Sequence, residues 1–169
     1  MERVLIAIDS INEWVGKQLR WFMLAAIFMM ALEVTQRYVF SHPTMWGYES
    51  VIWIGASMYV LSWGFVHKNK GHVRVDVFYN RFPEKARLFI DILCFLIFYV
   101  PIIIVLLYLT GRWLIFAWTH NEKSVLTYLY WPIAPLRTAI FIGVVLFALQ
   151  GIVQFLRDIA SLVRREAHD

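Results

Sequence analysis

Three long stretches of the chain contain no Asp, Glu, Lys or Arg: Ser50 to His67, Ile92 to Gly111 and Thr138 to Leu156. A fourth, Trp21 to Tyr38, is apolar as far as Leu32 and then carries Glu33 and Arg37. A hydrocarbon core about 30 Å thick needs roughly 20 apolar residues of helix to cross it. The pattern therefore predicts four transmembrane helices, over about 19–40, 48–67, 88–112 and 136–157. Strands of a membrane barrel would alternate apolar and polar residues, and runs such as Phe95-Leu96-Ile97-Phe98-Tyr99-Val100 do not. Pro101 falls inside the third span, where a kink is tolerated in lipid. Apolar residues continue through Leu114-Ile115-Phe116-Ala117-Trp118, so the third helix is expected to be long and tilted.

Ahead of the first span, Val4, Ile8, Ile11, Val15 and Leu19 share one helical face, with Asp9, Glu13 and Arg20 on the other. That pattern predicts an amphipathic interfacial helix over residues 3–20, leading into the first span. The competing reading, a cleaved signal peptide, is weakened by Asp9 within the only short apolar run and by the lack of a small-x-small cleavage site after it. The expected fold class is an all-α integral membrane protein, with residues 1–169 forming a single four-helix membrane domain.

Composition agrees with this reading. The chain is 60% hydrophobic and only 17% charged, against about 45–50% and 25% in a soluble domain. Disorder, collagen-like repeats, a disulfide scaffold and a nucleic-acid-binding domain are excluded by the same figures. The formal charge of +4 matters through its placement. Arg3, Lys17 and Arg20 precede the first span, Lys68, Lys70, Arg74, Arg81, Lys85 and Arg87 follow the second, and Arg157, Arg164 and Arg165 follow the fourth. Those twelve face one side, against Arg37, Arg112, Lys123 and Arg137 on the other. The positive-inside rule then places both termini and the middle loop in the cytoplasm. The second outer connection, Trp113 to Arg137, is rich in Trp and Tyr and contains Pro132 and Pro135. Such rings favour the headgroup region, so this connection is expected to lie along the outer interface.

Little in the sequence carries chemistry. Cys94 stands alone, which excludes an internal disulfide, a Cys-rich metal site and an Fe–S cluster. His42, His67, His72, His120 and His168 fall at span ends or in loops, where they do not serve as axial haem ligands of a membrane anchor. No phosphate-binding, dinucleotide or zinc-protease motif occurs, and no nucleophile–base pair. No cofactor, catalytic residue or metal site is expected, and the chain does not read as an enzyme. Ionisable groups within spans are costly and often mark transport pathways. Glu33 and Arg37 are spaced i,i+4 in the favoured order for a helical ion pair. A structural bridge near the interface and a proton- or sodium-coupling carboxylate both fit Glu33. Glu49, early in the second helix, is a second possible partner for Arg37 and favours the helix dipole there. Ala139 and Gly143, and Gly55, Ala56 and Ser57, suggest close helix packing without naming a partner. There is no inverted repeat and no pair of interrupted helices, so an accessory subunit is a better reading than a self-sufficient carrier.

Two motifs then name a family. Arg37-Tyr38-Val39-Phe40, followed by Pro43, Trp46 and Glu49, resembles the signature that ends the first span in small membrane subunits of TRAP (tripartite ATP-independent periplasmic) transporters. Lys70-Gly71-His72-Val73-Arg74-Val75-Asp76, with Pro83 close behind, resembles that family's second signature. The family often has two acids after the tryptophan, whereas here Tyr48 precedes the single Glu49. The resemblance implies a bacterial or archaeal inner-membrane system for sodium-driven uptake of organic acids such as sialic acids or dicarboxylates. Its implied partners are a large multi-spanning membrane subunit, which carries substrate and sodium, and a periplasmic substrate-binding protein. The small subunit would scaffold the first and help dock the second. On this resemblance Arg37 and Glu49 brace the outer ends of the first two helices, while His72 and Asp76 fix the cytoplasmic loop. Glu33, Tyr38, Pro43 and Trp46 are further structural or interface candidates. Other readings are a small proton-coupled exporter using Glu33 and a membrane anchor of a respiratory enzyme.

Overall fold

The computed structural model of the chain describes residues 2–69 and 84–166. The candidates His72 and Asp76, with the rest of the second signature, lie outside the described residues. The described residues form α1 (Glu2–Tyr38), α2 (Met45–Lys68), α3 (Glu84–Cys94), a π-helical turn (Phe95–Tyr99), α4 (Val100–Thr119) and α5 (Ala134–Glu166). Four segments are long and apolar enough to cross a membrane: α1, α2, Phe89–Thr119 and Ala134–Ser161. The fold is all-helical, as the hydrophobic pattern predicts.

The amphipathic N-terminal segment is not a separate element. It runs without a break into the first span as a 37-residue helix, about 55 Å long at 1.5 Å per residue. The third span is also longer than the 88–112 read from the sequence, continuing to Thr119. Its irregularity sits just before Pro101. Proline has no N–H to offer the carbonyl four residues back, and the helix widens here so that the Val100 N–H donates to the Phe95 carbonyl. A single π turn of this kind absorbs the misfit without ending the helix.

α5 is the centre of the fold. It lies against α2 and α4 and, more lightly, α1, while α2 also packs along α1. The buried apolar side chains are few and mostly small: Leu19, Ile103, Ala117, Ala134, Val144, Leu146, Ala148 and Val153. Large ones such as Trp21, Phe28, Tyr59, Ile104 and Ile115 face outward. In lipid this is the expected distribution, because hydrocarbon gives large apolar groups no reason to hide and small residues let helices approach. Gly143 shows how closely. A Cβ built there would lie 2.8 Å from the backbone carbon and oxygen of Val60 on α2. Tyr99, at the end of the π turn, donates its hydroxyl hydrogen to the Phe147 carbonyl of α5 at 2.7 Å. Its ring also stacks with Phe95 and with His67 of α2, tying the third span to the other helices.

Gly143→Val should therefore force α2 and α5 apart and cost about 1–3 kcal/mol, read as a lower midpoint of thermal unfolding in detergent. Gly55 has no atom within 4 Å of an added Cβ. Gly55→Ala should leave that midpoint unchanged or raise it, since alanine is favoured over glycine in a helix by about 1 kcal/mol.

Candidate functional site

The first polar cluster gathers at the outer end of α1 and α2. Glu33 is one turn before the end of α1 and is 3% exposed. Arg37, on the next turn, donates from Nη2 to Glu33 Oε1 at 2.8 Å. The chain then reverses through Ser41, whose φ of 53° is left-handed, and enters α2 at Thr44. Thr44 is the N-cap residue, yet its hydroxyl does not cap its own helix. Its N–H donates to Glu33 Oε2 at 3.2 Å, and its hydroxyl donates to the same oxygen. Glu33 thus supplies the negative charge favoured at a helix N-terminus, but from the neighbouring helix. Gly47 makes room, since a Cβ there would lie 2.7 Å from Glu33 Oε2 and 2.6 Å from Thr44 Oγ1.

Glu49 is completely buried. It does not pair with Arg37 as the sequence allowed. Its Oε2 accepts the hydroxyl hydrogen of Thr127, from the second outer connection, and its Oε1 has no hydrogen-bond partner among the described residues. That connection is a compact loop. Ser124 N–H donates to the Trp131 carbonyl at 2.7 Å and Ile133 N–H to the Glu122 carbonyl at 2.9 Å. It folds back so that Trp131 meets Trp53 of α2 edge to face, with centroids 5.9 Å apart. Arg137 closes its base, bonding Glu122 Oε1 at 2.6 Å and the Trp113 carbonyl at 3.0 Å. An open cleft of 340 Å³ remains between the two outer connections, lined by Arg37, Pro43, Thr44, Tyr48, Leu126 and Thr127 among others.

Among the eight candidates from sequence, then, Glu33 and Arg37 form one ion pair, and Arg37 and Pro43 line one cleft. Glu49 lies behind it on Thr127. Tyr38, 77% exposed, and Trp46 face outward from the bundle.

The second cluster, at the other end of α1, was not foreseen. The sequence sets Asp9 and Glu13 on the face opposite the apolar one, and both turn toward neighbouring helices. Asp9 accepts from Gln150 Nε2 of α5 at 2.9 Å and pairs with Arg157. Asn12 is 1% exposed and donates to Gln150 Oε1 at 2.8 Å. Glu13 pairs with Lys68 at the end of α2, at 2.6 Å, and with Lys17 at 2.7 Å. Gln150 sits in the stretch Thr138 to Leu156, whose other polar side chains are Thr138 and Gln154, and it is fully buried. A polar amide in mid-span was the one signal available, since neutral side chains do not interrupt a search for charge.

The site so defined is a pair of polar clamps at the two ends of α1. It belongs to a multi-pass membrane protein whose ionisable groups hold helices together. The family model described as the DctQ component of tripartite ATP-independent periplasmic transporters matches residues 26–161. The chain belongs to that family and is a small component of a TRAP transporter, a transport family and not an enzyme family. No curated protein matches the chain.

Removing the Glu33 carboxylate strands the Thr44 N–H, its hydroxyl and Arg37. Glu33→Ala should cost about 1–3 kcal/mol, the scale for leaving buried donors unsatisfied, and Arg37→Ala less, because Glu33 then keeps both Thr44 donors. Comparing unfolding midpoints in detergent checks the order; equal midpoints for wild type and Glu33→Ala would remove Glu33 from the clamp.

Proposed function

We propose that the chain is the non-catalytic scaffold subunit of a sodium-coupled TRAP transporter for organic acids, seated in the cytoplasmic membrane with both termini inside. The observation that carries this reading is the use made of its polar groups. Glu33, Asp9, Glu13, Asn12 and Gln150 each accept or donate bonds that join one segment to another. Glu33 in particular is held by Arg37 and by both donors of Thr44, an arrangement suited to fixing a helix end and poorly suited to cycling a proton. Large apolar side chains cover the outward faces between the clamps. A rigid element with that surface fits a role packed against a larger membrane subunit, which would carry the substrate and sodium.

On this reading the two outer connections help present a docking face to the periplasmic binding protein. Arg37 and Tyr48 open into the cleft between them, and Arg37 with Glu49 braces the outer ends of α1 and α2. His72 and Asp76, outside the described residues, would fix the cytoplasmic loop.

Purified chain in liposomes should move no radiolabelled organic acid under a sodium gradient, and uptake should return when the large subunit and binding protein are added. Sodium-driven uptake by the chain alone would overturn the scaffold role. Lys123 is the cleaner probe of docking, being exposed, whereas Glu122 is occupied by Arg137. Charges at an interface rim act mainly on association rate. Lys123→Glu should therefore lower uptake at limiting binding protein and recover as binding protein is raised, with complex abundance unchanged. Uptake indistinguishable from wild type at every concentration would restrict the loop to membrane anchoring.

A further inference from the structure

The outward side of α1 carries a charge that no internal contact explains. Arg20 is exposed, and no ion pair among the described residues includes it. Its guanidinium lies 5.7 Å from the centroid of the Trp21 ring. Arg20 and Arg37 bound the apolar run of α1, and the 1.5 Å rise puts them about 26 Å apart along the axis. The hydrocarbon core is roughly 30 Å thick, and any tilt shortens the vertical separation further. The two arginines therefore cannot both have their Cα atoms in water. Arg37 meets this constraint with Glu33. Arg20 has no acid among the described residues, so its side chain extends toward the nearer headgroup layer, as long cationic side chains do near helix ends.

Beside it runs an open groove of 460 Å³, lined by Arg20, Trp21, Met23, Leu24 and Ile27. Every lining residue but Arg20 is apolar, and Arg20 is the one nearest the α1 N-terminus in sequence. A cation near a membrane boundary, beside an open apolar groove along the helix, is complementary to one kind of molecule. A phosphate accepts from the planar guanidinium, which offers donors in a fork suited to it, while an acyl chain lies along Trp21, Leu24 and Ile27. A protein partner would have to bring its own acid to the same depth, at a cost in membrane insertion. A lipid phosphate is already at the boundary.

We propose that this groove binds an anionic phospholipid of the leaflet next to the N-terminal end of α1, with Arg20 on the phosphate. The test is native mass spectrometry of the full chain released from nanodiscs of equal phosphatidylglycerol and phosphatidylcholine. Wild type should retain phosphatidylglycerol preferentially. Arg20→Gln should lower that preference about fivefold, the effect of one basic side chain near an anionic headgroup, and Arg20→Lys should keep most of it. An unchanged lipid ratio in a folded Arg20→Gln chain overturns the proposal. So does an unchanged ratio accompanied by loss of the co-extracted large membrane subunit, which would assign Arg20 to a protein acceptor. If Arg20→Gln does not fold, tryptophan quenching by brominated lipids decides with the wild-type chain. Stronger quenching by brominated phosphatidylglycerol than by brominated phosphatidylcholine, with the difference lost in Trp21→Phe, supports the site; equal quenching by the two lipids overturns it.

Discussion

A carboxylate taken below the headgroups of a bilayer has to be given donors, because an ion left unpaired there costs several kcal/mol. Glu33 meets that requirement with three donors from two residues, and only one of them lies on its own helix. The outer end of the molecule is arranged around this. The reversal between α1 and α2 must bring Thr44 under the carboxylate, so it is short and turns through a left-handed residue at Ser41. The first turn of α2 must leave space beside the carboxylate, and Gly47 provides it. The charge then lies at the start of α2, where the exposed N–H groups of a helix favour an anion. One buried charge thus determines a loop length, a cap and a glycine.

The same requirement operates at the opposite end, and together the two clamps set a register. Asp9 and Glu33 are 24 positions apart on α1, about 36 Å of helix. α2 has 24 residues and therefore about the same length. Thr44, its N-cap, receives Glu33, and its last residue, Lys68, donates to the Asp9 carbonyl and pairs with Glu13. Sliding one helix by a turn would unpair both ends at once. Asp9 and Asn12 extend the clamp to α5 through Gln150 and Arg157. Apolar contacts between helices in lipid are non-specific and give little preference for one alignment over the next. In this chain polar end-clamps and close glycine contacts such as Gly143 on Val60 supply the alignment.

The parts of this that could be read in the sequence are those with a local cause. Span count follows from stretches without charge, the Glu33–Arg37 pair from i,i+4 spacing, and the irregularity near Pro101 from a missing N–H. Partners far apart in sequence could not be read this way. Thr127 is 78 positions from Glu49, and Gln150 is 138 from Asn12, and neither separation has a periodicity. The N-terminal segment illustrates the same limit, since the pattern gives its helix but not the partners of its polar side chains. Its pattern reads as an amphipathic interfacial helix with Asp9, Glu13 and Arg20 opposite the apolar face. Here Ile11 and Val4 are among the exposed residues while Asn12 is buried. There the polar edge turns inward and finds its partners on α2 and α5.

That inversion also bears on what a small transporter component can do. A coupling residue must exchange its partner during a cycle, and the groups that could do so here are engaged in holding α1, α2 and α5 together. Glu49 keeps a buried oxygen that accepts nothing among the described residues, as do Asn12 and Glu122. It still ties α2 to the second outer connection through Thr127, so a displacement of that loop would be felt at the start of α2 and, through Glu33, at the end of α1. The outer face is therefore a single mechanical unit made from three separate stretches of chain. A partner seated on it would bear on all three stretches at once, which fits the scaffold role proposed for the chain.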